Sequence, residues 1–304
     1  MNLWRNKGYL MCNSIYIIAY HGTDPETRQI RSDNHNKQIE FWLDYDSEIV
    51  IRILAQDFGA NEYWDHPRVE YIDRLDSPIP PASARNVLLN HFYDTDETWA
   101  VFADSDAILN LHPNFVHTHI NICDILRSFP ENFKDVDLFW PHWDGRPGDG
   151  AFYDKFNNVD PAYKDVDWVN DLCFDRKFGS MKGTLFFLKN NDKRIMMDTN
   201  FNGTGQIIPG EDDEFAVAMA MNHYNTYILR NIMLKEFTAG STHAGEQSTR
   251  KAQMLKGDDI IKAKYNLPDE RAKWYKTVKQ NGFGMQRRVT VPLNKDVEES
   301  LFSF

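Results

Sequence analysis

Two aspartates stand one residue apart at the end of an apolar run in the stretch WAVFADSDAILN, which spans Trp99 to Asn110. Residues two apart on an extended chain point the same way, so Asp104 and Asp106 can face one ligand. Their carboxylates repel each other unless a cation lies between them, and Mg²⁺ and Mn²⁺ prefer oxygen ligands that they share with phosphates. The pair predicts a divalent-metal site, and the simpler interpretation is a solvated strand end.

A second group of acids opens the segment GEDDEFAVAMAMNHY, in which Glu211 to Glu214 precede an Ala- and Met-rich helical stretch. Carboxylates suit the first turn of a helix because the helix dipole is positive there. A carboxylate can also take the proton of a reacting hydroxyl. The pattern therefore leaves a capping role and a general-base role both open.

The elements that would position these acids predict an α/β domain. Apolar, β-branched runs indicate strands, whereas apolar residues at helical spacing and a proline in a first turn indicate helices. In chain order, the prediction is strand 14–20, helix 34–45 capped at Ser32 or Asp33, strands 48–55 and 68–72, a helix opened by Pro80 and Pro81, and strands 99–103, 137–140 and 184–188. This order predicts a sheet covered on both faces, with ligands beyond the carboxyl ends of its strands.

The composition bounds the class of protein. The 304 residues are 42% hydrophobic and 13% aromatic, which is enough to bury a large core without disulfides or metals. Cys12, Cys123 and Cys173 are widely spaced and form no CxxC motif, so a reducing compartment is the simpler expectation. The apolar run 9–20 is too short to span a bilayer. We expect a cytoplasmic protein without a transmembrane segment.

Charge is unevenly distributed along the chain. The formal net charge is -11, but residues 250–288 hold eleven Lys or Arg against four Asp or Glu. The pattern of this region predicts basic helices. Basic stretches of this kind are most often the solvent-exposed faces of helices. We expect a domain over residues 1–249 and a basic C-terminal helical extension over residues 250–304.

Four motifs in order give a resemblance to a known family. The segments SARNVLLNHF, WAVFADSDAIL, GEDDEF and STHAGEQST resemble those of the nucleotide-sugar-dependent glycosyltransferases of the GT-A fold, particularly the inverting families. The match runs from Ile15 to Thr249. It implies a Rossmann-like mixed sheet flanked by helices, a Mn²⁺ or Mg²⁺ ion, and a nucleotide diphosphate sugar as donor, with a UDP-sugar preferred.

The resemblance also implies roles for individual residues. Asp106 would bind the metal directly, and Asp104 would be shared between the metal and the ribose of the donor. His243 would be the third metal ligand, and its simpler interpretation is a hydrogen-bonded loop histidine. Arg85 would face the diphosphate or the base, because its guanidinium suits phosphate oxygens. Its simpler interpretation is a surface charge near a helix start.

Inversion at an anomeric carbon needs a base on the face opposite the departing diphosphate. Asp212 is the first choice, with Glu211 and Asp213 as competitors because consecutive acids leave the register ambiguous. The second strand departs from the family pattern, since LAQDFGANE retains Asp57 as the one plausible nucleotide-binding acid. This departure leaves the nucleotide, uridine or guanosine, open.

The sequence gives weaker signals of the acceptor than of the donor. Trp140, His142, Trp143 and Trp168 border a long loop and either stack on a ligand or belong to the core. The expected acceptor is a glycan or a lipid-linked hydroxyl. One alternative is a phage-type enzyme that glycosylates modified DNA bases, because aromatics are interleaved with the basic region. Another alternative is a sugar- or nucleotide-binding module of the same fold without catalysis.

Overall fold

The computed structural model describes residues 10–22, 24–57, 61–110, 121–143, 171–176, 181, 183–202, 210–237, 247–270, 273–274 and 288–292. Ten strands and five α-helices lie in these ranges. The strands are β1 Leu10–Tyr20, β2 Val50–Gln56, β3 Val69–Leu75, β4 Glu97–Asp104, β5 Ala107–Asn110, β6 Leu138–Trp143, β7 Asp171–Arg176, β8 Leu185–Lys189, β9 Thr226–Glu236 and β10 Arg288–Pro292. The helices are α1 Pro25–Tyr45, α2 Pro81–Tyr93, α3 Ile122–Ser128, α4 Glu211–Met221 and α5 Gln247–Tyr265.

The strands form one mixed sheet in the order β10-β7-β9-β6-β8-β4-β1-β2-β3, and β5 pairs with β9 beside this path. β4, β1, β2 and β3 run parallel to one another. β8 is antiparallel to β4 and begins the mixed half. The carboxyl ends of the four parallel strands therefore meet at one edge, where Asp104 ends β4.

Helices cover both faces of the sheet. Ile15 and Ile17 of β1 belong to the core on the face that α1 and α3 cover. Tyr16, between them, belongs to the core on the opposite face, under α2 and α4. This alternation follows from the two-residue period of a strand. The predicted α/β sheet flanked by helices is confirmed.

Helix α1 begins earlier than its sequence pattern predicts. The predicted cap at Ser32 or Asp33 is wrong, because the side chain of Asp24 accepts from the backbone N–H of Thr27 and Pro25 occupies the first turn. Ile30 is the one large apolar residue in the first two turns, so apolar periodicity gives no signal there.

Helix α5 packs on the domain instead of standing apart from it. Ile261, Leu267 and Trp274 form a third buried cluster with Phe201 and α4. The division at residues 249 and 250 stays a prediction. Among the described helices, none has the length and apolar character needed to cross a bilayer. The three cysteines are buried and form no disulfide, and the cytoplasmic location stays a prediction.

Candidate active site

The two aspartates of the opening motif lie on the turn between β4 and β5. Asp104 is the last residue of β4, and Asp106 follows one residue later. Burial raises the pKa of Asp106 to about 7, and the charges of Asp104 and Glu236 add to this effect. Burial also raises the pKa of Asp104. The carboxylates therefore interact, as a shared ligand requires.

Arg85 of α2 supports Asp104 from within the protein. Its side chain is 5% exposed, and its Nη2 lies 2.7 Å from Oδ1 of Asp104. The same nitrogen donates to the carbonyl of Gly183 at 2.9 Å. These contacts orient Asp104 and bring the start of β8 to the same edge. The role of Arg85 on the donor diphosphate stays a prediction.

The acidic start of α4 lies beside this edge. Burial raises the pKa of Glu211 to about 7, with further contributions from the charges of Asp212 and Asp104. Oδ2 of Asp212 accepts from the backbone N–H of Gly183 at 2.9 Å, and its Oδ1 accepts from the N–H of Asp213 at 2.9 Å. The fold therefore brings together two acidic motifs that lie about a hundred residues apart in the sequence.

Glu214 occupies a different environment from the other acids of the run. Its side chain is fully buried, and its Oε1 accepts from Lys264 Nζ at 2.6 Å and from the Tyr265 hydroxyl at 2.5 Å. Lys264 also pairs with Asp198 at 2.8 Å. The structure thus separates Glu214, which joins α4 to α5, from Glu211 and Asp212.

Sequence reasoning missed Glu236 at the end of β9. It lies opposite Ala107 in the β5–β9 pairing, and it raises the pKa of both Asp104 and Asp106. A lone glutamate after an apolar strand gives no signal of this role. Only the pairing of β9 with β5 brings it to the site.

Sequence reasoning also missed Arg31 of α1. Its positive charge lowers the pKa of Asp106, against the larger effect of burial. The guanidinium lies 4.8 Å from the ring centre of Tyr20. A Cβ on Gly22, which has φ of 80°, would lie 3.1 Å from Nη1 of Arg31. The turn after β1 therefore depends on glycine to admit this cation beside the acidic pair.

Asp57 lines a cavity of about 260 Å³ at the carboxyl ends of β2 and β3. Nη2 of Arg28 lies 3.5 Å from its Oδ1 and donates to its carbonyl at 3.1 Å. Arg74 and Trp64 also line the cavity, and the guanidinium of Arg74 stacks 3.4 Å from the ring centre of Trp64. The cavity offers charges of both signs and flat surfaces, as a polar planar ring requires.

The aromatic residues proposed for the acceptor divide in the structure. Trp140 and His142 on β6 are each 1% exposed, so they belong to the interior and cannot stack on a ligand from there. The backbone of Trp143 ends β6, but its side chain lies outside the described part, as does Trp168. Gly183 and Thr184 lie at the site, where the carbonyl of Thr184 accepts from Asp104 N–H at 2.8 Å.

The donor set fits a hard divalent cation in chemistry but is incomplete within the described residues. Asp104 and Asp106 supply carboxylate oxygens, and a cation would relieve the repulsion that raises their pKa values. No group of three His, Cys, Asp or Glu close enough for a metal occurs in the described ranges. His243 lies outside them.

Three described lysines of the basic region, Lys262, Lys264 and Lys273, are engaged with carboxylates. Lys262 pairs with Asp259 at 2.7 Å and with Asp269 at 3.4 Å. Lys273 pairs with Glu270 at 2.5 Å. Lys264 is held by Asp198 and Glu214, as described above. These ion pairs compete with any polyanion for the same cations.

Solved nucleotide-sugar transferases are among the structures similar to this chain. GalNAc-T7 with UDP, GalNAc and Mn²⁺ matches at 12% identity and a TM-score of 0.45, over 95% of this chain and 53% of its own. A protein assigned as a nucleotide-diphospho-sugar transferase from Desulfovibrio desulfuricans G20 matches at 9% identity and a TM-score of 0.38, over 83% of this chain and 97% of its own. A Drosophila β-1,4-galactosyltransferase 7 variant with manganese, UDP-Gal and xylobiose matches at 14% identity and a TM-score of 0.37, over 79% of this chain and 73% of its own.

No family model matches the sequence. No curated protein matches it at the threshold of the search. Identities of 9–14% are too low to transfer an activity from one chain to another. The function must therefore be argued from the side chains at the edge of the sheet.

Proposed function

We propose that this chain is a metal-dependent glycosyltransferase. It would move a sugar, with inversion, from a nucleotide diphosphate donor to an acceptor hydroxyl, and a UDP-sugar is the preferred donor. One observation carries the proposal: at the carboxyl edge of the sheet, Asp104 interacts electrostatically with Asp106 and with Glu211 and Asp212 at the start of α4. Metal-assisted transfer needs this combination of a charge-neutralising site and a base.

A divalent ion held by Asp104, Asp106 and His243 would neutralise the charge that builds on the departing diphosphate. The buried side chain of Arg85 holds Asp104 in place through its 2.7 Å ion pair. Arg31 places a further positive charge near Asp106. These contacts support donor binding at this edge.

The acids of α4 would take the proton of the acceptor hydroxyl while its oxygen bonds to the anomeric carbon and the bond to the diphosphate breaks. Asp212 is our first assignment, because two backbone N–H groups fix its carboxylate. Glu211 is the competitor, because a pKa of about 7 suits a base near neutral pH. Replacing Asp212 and Glu211 separately by Asn and Gln distinguishes them: loss of the base should lower kcat far more than it raises KM.

The cavity at Asp57 supports a place for the nucleobase. A carboxylate and two guanidinium groups can bond the edge of a base, and Trp64 offers a flat surface. Comparison of UDP with GDP binding to the wild type and to Asp57→Asn would identify the base. An unchanged affinity of the variant for both nucleotides would exclude Asp57 from the donor site.

A thermal-shift screen of nucleotide sugars with and without Mn²⁺ tests the proposal, since a bound ligand raises the melting temperature by mass action. We expect a shift that needs both components in the wild type. It should be absent in Asp106→Asn and retained in the control Asp96→Asn, which changes an exposed aspartate near the start of β4. No shift with any donor and metal would refute the proposal.

Turnover then separates the enzyme from the alternative of a non-catalytic binding module. Release of nucleotide diphosphate, with a sugar acceptor or with water, supports the enzyme. Binding of donor without release under any acceptor and metal supports the module.

The acceptor of the proposed enzyme is a glycan or a lipid-linked hydroxyl. The alternative of a modified DNA base gains no support from α5, where Lys262 and Lys264 are engaged with carboxylates. A DNA titration at several salt concentrations decides between them, because binding to phosphates must weaken steeply as salt rises. Affinity that does not respond to salt would exclude DNA.

A further inference from the structure

We propose that Gln38 of α1 is a positioning residue that holds the turn bearing Asp104 and Asp106 in its metal-binding form. This inference rests on the proposed function. The Gln38 side chain is fully buried, and its Nε2 donates to the carbonyl of Asp104 at 2.5 Å and to the carbonyl of Ala107 at 2.7 Å. One amide group thus uses both of its N–H bonds to span the turn.

The turn is anchored from three sides. Asp104 N–H donates to the carbonyl of Thr184 at 2.8 Å, before β8, and Phe237 N–H donates to the carbonyl of Asp106 at 2.8 Å, after β9. Both of these ties are backbone to backbone. The third tie is the Gln38 side chain, so among these three ties to the backbone of the turn it is the one that a single substitution can remove.

The chemistry of the position explains why an amide is there. Buried polar groups are costly unless they are hydrogen-bonded, and Gln38 shares the buried face of α1 with Ile39 and Trp42. An apolar residue would suit such a face better if packing were the whole requirement. The two carbonyls that Gln38 satisfies belong to the segment that displays the aspartates.

A fixed turn matters for a metal bound by two carboxylates. Both side chains must reach one ion, and a mobile turn loses conformational entropy when they do. Loss of a group that orients metal ligands through hydrogen bonds typically changes the metal affinity by about 10- to 100-fold. We therefore expect Gln38→Met, which keeps the length of the side chain and removes its donor, to weaken Mn²⁺ binding by about tenfold or more.

The experiment compares wild type, Gln38→Met, Gln38→Glu and Gln29→Met. Gln29 lies on the same helix, is exposed and bonds only an exposed carboxylate among its described contacts, so its variant is the matched control. Gln38→Glu keeps the shape and places oxygens against the two carbonyls. Two quantities are measured: the affinity for Mn²⁺, alone and with UDP, by water-proton relaxation, and amide hydrogen exchange of residues 104–110 without metal.

We expect both Gln38 variants to show weaker Mn²⁺ binding and faster exchange in residues 104–110, while Gln29→Met matches the wild type. Unfolding curves verify that each variant is folded at the assay temperature. A folded Gln38→Met with unchanged exchange, or with Mn²⁺ affinity within twofold of the wild type, overturns the positioning role. A wild type that binds no Mn²⁺ in either condition overturns the metal-dependent function itself.

Discussion

The backbone of Gly183 lies directly against Asp212. Its N–H donates to Oδ2 of Asp212 at 2.9 Å, and its carbonyl accepts from Arg85 at 2.9 Å. Since Arg85 also binds Asp104 at 2.7 Å, a chain of hydrogen bonds joins Asp104 to Asp212 through the backbone of one residue. The two acidic motifs are therefore held at a fixed separation by the start of β8.

Substitution of Gly183 by Ala should displace Asp212, because an added Cβ would lie 2.8 Å from the Asp212 Cβ. We expect a loss of about tenfold or more in kcat/KM, through a shift of the proposed base. Steady-state kinetics measure it. The loss should not add to that of Asp212→Asn, since both changes act on one contact. Independent, additive losses would show that the contact does not position the acid.

Replacement of Arg85 by Lys keeps the charge and loses the planar fork that reaches both Asp104 and the carbonyl of Gly183. We expect a fall of about 1–3 kcal/mol in the free energy of unfolding, because the charged hydrogen bond to the part-buried carbonyl of Gly183 is lost. Urea unfolding measures it. The control is Arg194→Lys. The side chains of Arg194 and of its ion-pair partner Asp94 are 53% and 67% exposed, so this change should alter the free energy of unfolding by less than about 0.5 kcal/mol. Equal effects would contradict the buried role of Arg85.

Replacement of Lys264 by Met removes a cation from the fully buried Glu214. We expect a cost of about 2 kcal/mol in the free energy of unfolding, reduced from the value for a fully buried pair because Lys264 is 40% exposed. Lys273→Met is the control, since both partners of its ion pair are largely exposed. In a Glu214→Gln background the loss of Lys264 should cost less, because only its pair with Asp198 is then broken. An equal cost in both backgrounds would contradict the pairing with Glu214.

Two histidines predict a dependence of stability on pH. Burial lowers the pKa of His21 to about 4, with Arg28 and Arg31 adding to the effect, and burial lowers the pKa of His35 to about 3, with His21 adding. Their unfolded value is about 6.5. The stability that depends on their neutral forms is complete above pH 6.5 and declines as the pH falls toward 4, at about 1.4 kcal/mol per unit of pKa difference.

Asp106 and Glu211 act in the opposite sense. Their raised pKa values, about 7, give stability that is lost as the pH rises toward 7. The histidine contribution is therefore measured as a difference, by urea unfolding of the wild type and of a double variant, His21→Gln with His35→Gln, from pH 7.5 to 4.5. The double variant should lose less stability as the pH falls. Parallel curves would contradict the histidine contribution.

Much of the fold was accessible from the sequence because local patterns determine it. Apolar runs predicted β1, β2 and β4, and the proline pair predicted the start of α2. β9 gave no prediction, because Arg230, Asn231 and Lys235 interrupt its apolar pattern. Tertiary pairing with β5, β6 and β7 makes it a strand regardless of this local signal.

The site was accessible in part. Asp104 and Asp106 share a strand end and can be recognised by spacing alone, and the acids of α4 by their number. Gln38 and Glu236 are ordinary residues in their local sequence, and only pairings across 66 residues or more bring them to the site. The sequence also suggested that Arg85 faces a ligand, whereas its described contacts are with protein groups.

The position of β4 between β1 and β8 has a consequence for biosynthesis. A nascent chain that has emerged only as far as Asn110 can complete the parallel half of the sheet, but one side of β4 then offers unpaired backbone groups until β8 is made. The acids of α4 and the strand β9 follow later still. Such distant pairings are slow to form, so the interval before residue 189 emerges is when this protein should depend most on chaperones.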